Sequence, residues 1–145
     1  MSLLKLPLKE ILGYEHKSVK KPNRGRLELS YPLRFQILNP ASLYEFQVAK
    51  TKEIGQSGLL FRTVTPPTRK SYILIEIDKK LLMEVIEADQ HLVFVNSKIA
   101  AQVILTHLNL ENGLFEIEAR FVRTAEKNSA EFEKALRQCC LKLES

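Results

Sequence analysis

Two short segments of this 145-residue chain carry side chains suited to holding an anion. The first, Lys20-Lys21-Pro-Asn-Arg24-Gly-Arg26, ends a basic leader. Residues 1–26 hold seven lysines and arginines (Lys5, Lys9, Lys17, Lys20, Lys21, Arg24, Arg26) against Glu10 and Glu15, whereas residues 27–145 hold 15 charges of each sign. The whole net charge of +5 therefore sits in the leader. A basic arm on a neutral domain attracts nucleotides, nucleic acids or acidic lipids, or else serves as a solvated tail that aids solubility. The second segment, Glu53-Ile-Gly55-Gln-Ser57-Gly58, offers a carboxylate, a hydroxyl and bare backbone. Glycines at those places are also what a tight turn with positive φ demands.

Catalytic constellations are missing. The sequence contains no Walker-type phosphate loop, no His-x-x-x-His or Cys-x-x-Cys metal pattern and no Gly-x-Ser-x-Gly elbow, so the expectation is a protein that is not an enzyme and carries no cofactor. His16, His91 and His107 are scattered. Glu116 and Glu118 share one face of a strand and resemble an acid pair, but outward glutamates on an antiparallel strand read as a solvated face. Cys139 and Cys140 are neighbours that suit neither a structural disulfide nor a metal clip, and Cys140 is expected on an apolar helix face as a reduced core thiol.

The elements that must position these residues are mostly strands. Leu27, Leu29, Tyr31, Leu33, Phe35 and Ile37 recur at period two, with Pro32 marking an edge or a bulge. Tyr44, Phe46 and Val48 alternate with Glu45 and Gln47, which predicts a second strand before the 53–58 turn. Residues 59–64 give a third strand, stopped by Pro66-Pro67, and residues 71–77 a fourth. Residues 80–86 suit either a strand or a helical turn, and strand is favoured; residues 91–95 belong to a fifth strand. Asn112-Gly113 between two alternating runs, 99–108 and 114–123, predicts a hairpin. At the end, Asn128 with Glu131 forms a capping box, and Phe132, Leu136, Cys139, Cys140 and Leu143 recur at helical spacing. The fold expected is mainly β: a small six- to seven-stranded antiparallel barrel with a C-terminal amphipathic helix. Its core is expected from Leu27, Leu29, Tyr31, Phe35, Phe46, Phe61, Ile75, Val103, Phe115, Ile117, Phe121, Phe132 and Leu136.

Length supports one domain, divided into a basic, loosely held leader over 1–25 and the barrel plus helix over 26–145. No stretch approaches the roughly 20 apolar residues of a membrane span. Lys5, Pro7, Lys9 and Glu10 interrupt the opening too often for a secretory signal, so the expected location is cytoplasmic.

The basic leader, the strand Leu29-Ser-Tyr-Pro-Leu-Arg-Phe35, the glycine turn before the strand reaching Phe61, the hairpin ending Ala119-Arg-Phe121 and the terminal helix together resemble a PilZ domain over roughly residues 20–143. The resemblance implies a six-stranded barrel with a C-terminal helix in bacterial cytoplasm, serving as a receptor for cyclic di-GMP. The family carries Arg-x-x-x-Arg just before the first strand and Asp/Asn-x-Ser-x-x-Gly in the turn after the second. Here Lys20 and Arg24 keep the first spacing with a lysine, while counting back from the strand pairs Pro22 with Arg26; either way one arginine is lost. Lysine supplies a point charge without the planar fork that grips a guanine edge or a phosphate. In the second motif Glu53 stands for Asp/Asn, Gly55 replaces the serine, Ser57 carries the displaced hydroxyl, and Gly58 matches.

The resemblance thus implies Lys20, Lys21, Arg24, Arg26, Glu53, Gly55, Ser57 and Gly58 as the candidate cyclic di-GMP site. Its damage favours an adaptor that binds a protein partner in motility or surface-polysaccharide control and holds cyclic di-GMP weakly or not at all. The alternative is a working receptor that uses the basic leader. A single-stranded nucleic-acid binder is the remote alternative and no nucleic acid is expected, because the aromatics are not interleaved with the basic residues as stacking platforms.

Overall fold

The period-two run that opens the barrel forms as two pieces, β1 (Leu27–Glu28) and β2 (Pro32–Ile37), both antiparallel to β3 (Gln47–Ile54). The structure is a computed structural model that describes residues 27–85 and 91–142. Between the pieces the strand breaks where Pro32 predicts it, and the Thr51 side chain fills the break. Its hydroxyl donates to the Leu29 carbonyl and accepts from the Tyr31 N–H at 2.8 Å. The ladder resumes on either side, with Leu29 N–H on the Lys52 carbonyl at 3.0 Å and Thr51 N–H on the Tyr31 carbonyl at 2.9 Å.

The remaining strands are β4 (Gly58–Thr63), β5 (Tyr72–Glu76), β6 (Phe94–Val95), β7 (Lys98–Asn109) and β8 (Leu114–Phe121). Antiparallel neighbours run β3-β2-β5-β7-β8-β4, and β4 pairs back onto β3. This closes a six-stranded barrel, with β1 and β6 as short additions beside β3 and β7. Closure satisfies strand edges internally. The β7–β8 hairpin turns as expected, with Gly113 at φ +73°. The 64–71 connection lies along β7, where Lys70 N–H donates to the Val103 carbonyl at 2.8 Å and Val103 N–H to Ser71 at 2.9 Å.

Apolar side chains form two clusters. Phe35, Ile54, Phe61, Ile75, Val103, Ile117 and Phe121 fill the barrel, and Phe35 meets Phe61 with ring centroids 5.2 Å apart. On the outside, Leu74, Ala100 and Val122 are covered by Phe132, Leu136 and Cys139 of the terminal segment. Strand β5 is therefore buried on both faces, which is why it reads as an unbroken apolar run.

The sequence expectations need correction in several places. Residues 80–86 are not a strand: α1 (Lys79–Val85) forms there, because the Asp78 carboxylate caps Lys80 N–H at 2.8 Å and Leu81 and Leu82 pack into the barrel core. Phe46 is 40% exposed rather than core, and Tyr44 and Val48 also face solvent. The second strand starts later than expected: Tyr44 lies in a turn and Phe46 precedes β3, while on the strand itself Leu33 pairs with Ala49, so Val48 points outward and the odd positions point inward until a bulge between Thr51 and Glu53 turns Ile54 in. Tyr31 and Phe115 are only half-buried.

The terminal helix α2 (Ala130–Gln138) starts one residue later than expected, capped by Ser129, whose hydroxyl accepts the Phe132 N–H at 3.3 Å. It also ends early. Leu141 N–H bonds the Leu136 carbonyl at 2.9 Å and Cys140 takes φ +57°, a left-handed helix stop. Cys139 is consequently the buried thiol and Cys140 the exposed one, the reverse of the expectation. Burial, and then Cys140 beside it, push the Cys139 thiol pKa up. Among the described residues no helix is long and apolar enough to cross a membrane. The leader, Ile86, Asp89 and Leu143 lie outside the described residues.

Candidate functional site

Antiparallel pairing sets the site. Leu27, the residue that follows Arg26, lies opposite Ile54, and Glu28 lies opposite Glu53. The described chain thus begins beside the β3–β4 turn, as the two altered motifs require if they are to act together. Lys20, Lys21, Arg24 and Arg26 themselves lie outside the described residues.

Glu53 belongs to the end of β3 rather than to the turn, paired with Leu60 across β4. The turn is held by Gly55 N–H on the Gly58 carbonyl at 2.9 Å. Ser57 is exposed, and its carbonyl accepts the Phe121 N–H at 2.9 Å, which ties the turn to the end of β8. Neither Gly55 nor Gly58 has a positive φ, so the turn chemistry expected for them is not what these glycines supply. Gly58 is required for another reason: a Cβ there would overlap the Ala119 carbonyl oxygen and lie 3.0 Å from the Arg120 Cα.

Two arginines that sequence reading left out adjoin this turn. Arg123 donates from its guanidinium to the Gln56 carbonyl, and Arg120 is the β8 partner of Gly58. Arg120 is committed elsewhere, to both Glu126 oxygens at 2.8 and 3.0 Å and to Gln102 at 3.2 Å. Burial raises the Glu126 pKa, but the Arg123 N–H and Arg120 outweigh it and hold the carboxyl below its ordinary range. The sequence placed both arginines on the predicted run 114–123 without a site role; their nearness to the turn follows from the pairing of β8 with β4, which the pattern of one strand does not carry.

Arg120 and Glu126 also line a pocket of ≈ 430 Å³ between the barrel and the start of α2, with Tyr72, Gln102 and Ser129 around it. Burial pushes the Tyr72 hydroxyl up, opposed by a hydrogen bond with Ser129. The arrangement offers hydrogen bonds and charge at the turn. Among the described residues no three of His, Cys, Asp and Glu gather as a metal site.

Glu116 does not sit on a solvated face. It is 8% exposed, because its carboxylate gathers Asn109 at 3.1 Å and Lys52 and Arg62 at 3.4 Å each. The Asn109 hydrogen bond holds its pKa below the ordinary carboxylate range, with Lys52 and Arg62 assisting against the opposing effect of burial.

No family model, curated protein or solved structure matches the chain.

Proposed function

We propose that the chain is a PilZ-like barrel acting as a protein-interaction adaptor in bacterial cytoplasm, in motility or surface-polysaccharide control, and that it holds cyclic di-GMP weakly or not at all. The observation that carries this reading is the close approach of Gly58 to Ala119. Gly58 is the one residue of the turn motif that matches the family pattern, and the close approach of β4 to β8 accounts for a glycine there without a ligand. Glu53 and Gly55, the two altered positions, are taken up by the ladder and the turn.

A second reading, a working receptor, is favoured by the pairing of Leu27 with Ile54 and by Arg123 at the turn. Calorimetric titration with cyclic di-GMP separates the two. The adaptor gives little heat, weakening further as salt screens the leader's charge. Submicromolar binding abolished by Arg24→Ala or Arg26→Ala would establish the receptor instead.

A further inference from the structure

The run Val103-Ile-Leu-Thr-His-Leu-Asn-Leu110 contains no Asp, Glu, Lys or Arg, no glycine and no proline. It covers the second half of β7, where that strand runs on past β5. On one side β7 stays paired with β8 as far as Asn109 opposite Leu114. On the other side the pairing with β5 stops at Gln102, and the backbone bonds of the 64–71 connection stop at Val103. Past that point the Arg69 Nε–H donates to the Ile104 carbonyl at 3.1 Å and the Thr106 hydroxyl to the Pro67 carbonyl at 3.4 Å. From Leu105 to Asn109 the outer edge of β7 therefore has no strand partner among the described residues. Leu105 and Leu108, on opposite faces of the strand, are 49% and 43% exposed, so neither face is covered there. Proteins blunt such edges with charge, proline or a bulge. The bulge of β7 lies earlier, between Val103 and Leu105, and the register from Leu105 to Asn109 is regular.

We propose that this edge pairs with the same edge of a second copy of the chain, β7 running antiparallel to β7 about a two-fold axis, so that the protein is a homodimer. The inference concerns self-association and goes beyond the adaptor reading. Two-fold pairing sets residues of one stretch opposite residues of the same stretch. Any lysine or glutamate in it would bring like charges together across the axis, which destabilises a ladder. The run 103–110 has none, so two copies add strand to strand without repulsion. Other occupants fit less well. The apolar part of the chain's own leader is interrupted by Lys5, Pro7 and Lys9, and a proline cannot donate to a ladder. An anionic membrane surface is opposed by Glu111, exposed at the tip of the hairpin.

The test is sedimentation of the full chain over a concentration series reaching the high-micromolar range, read together with amide hydrogen exchange. The parent should show a reversible monomer–dimer equilibrium, and the amides of residues 105–109 should exchange more slowly as the concentration rises. Leu105→Lys combined with Leu108→Lys should raise the dimer dissociation constant at least roughly tenfold, while Lys134→Glu on α2 leaves it unchanged. The urea midpoint of the double variant reports whether its fold is intact, and the exchange measurement on the parent needs no variant. A parent that stays monomeric throughout the series would overturn the proposal, as would a dimer indifferent to the two lysines. Slow exchange at 105–109 that does not vary with concentration would assign the edge to the leader and overturn it too. None of these outcomes touches the adaptor reading, which falls to tight cyclic di-GMP binding.

Discussion

Gly58 packs so closely on Ala119 that a Cβ at position 58 would overlap the Ala119 carbonyl oxygen. The obstacle is backbone, not a side chain that can swing away, so β4 and β8 must part to admit even a methyl group. Gly58→Ala is therefore expected to destabilise the barrel by about 1–3 kcal/mol, as overpacking does. A urea melt with an unchanged midpoint would show that the strands yield without cost.

Thr51 is expected to behave as a structural hydroxyl. It bridges the Leu29 carbonyl and the Tyr31 N–H where the first strand breaks. Thr51→Val keeps the shape and leaves both backbone groups unpaired, at a cost of about 1–3 kcal/mol, whereas Thr51→Ser keeps the bonds and most of the stability. Equal stability of the two variants would remove the bridge from the account.

Glu116 links the fold to pH. Its folded-state pKa lies below the ordinary glutamate range, so the folded protein holds the carboxylate more readily ionised than the unfolded chain does. The contribution is full at neutral pH and is lost as the pH falls below that range through the folded value. Glu116→Gln should lower stability at pH 7 and flatten part of the acid-side decline, with Glu126 still contributing its own. Parallel pH profiles for parent and variant would contradict this.

Much of the fold was legible from the alternation of strand residues and from turn chemistry at Pro32 and Asn112-Gly113, because period and punctuation are local. Parity was not. Whether Val48 or Ala49 faces the core depends on the pairing of Leu33 with Ala49, a relation between strands that one strand's pattern does not carry. The same holds for Glu116, whose outward position is right while its burial comes from Lys52 on β3, Arg62 on β4 and Asn109 on β7. The adjacent leucines 81 and 82 fit either period, and the Asp78 cap decided for helix. At the site, the turn was legible as a turn; the reason for Gly58 lay on the neighbouring strand β8.

The proposal that a PilZ-like scaffold persists while its ligand side chains are lost is tested by rebuilding those side chains. Pro22→Arg with Glu53→Asp and Gly55→Ser restores both motifs on the register counted back from the strand, and Gly55 has no positive φ to oppose the serine's backbone. Parent and triple variant are titrated with cyclic di-GMP by calorimetry at the same moderate ionic strength. The expected result is at most weak, salt-sensitive heat from the parent and tight saturable binding acquired by the triple variant. Submicromolar binding by the parent, or a folded triple variant that gains none, would contradict it.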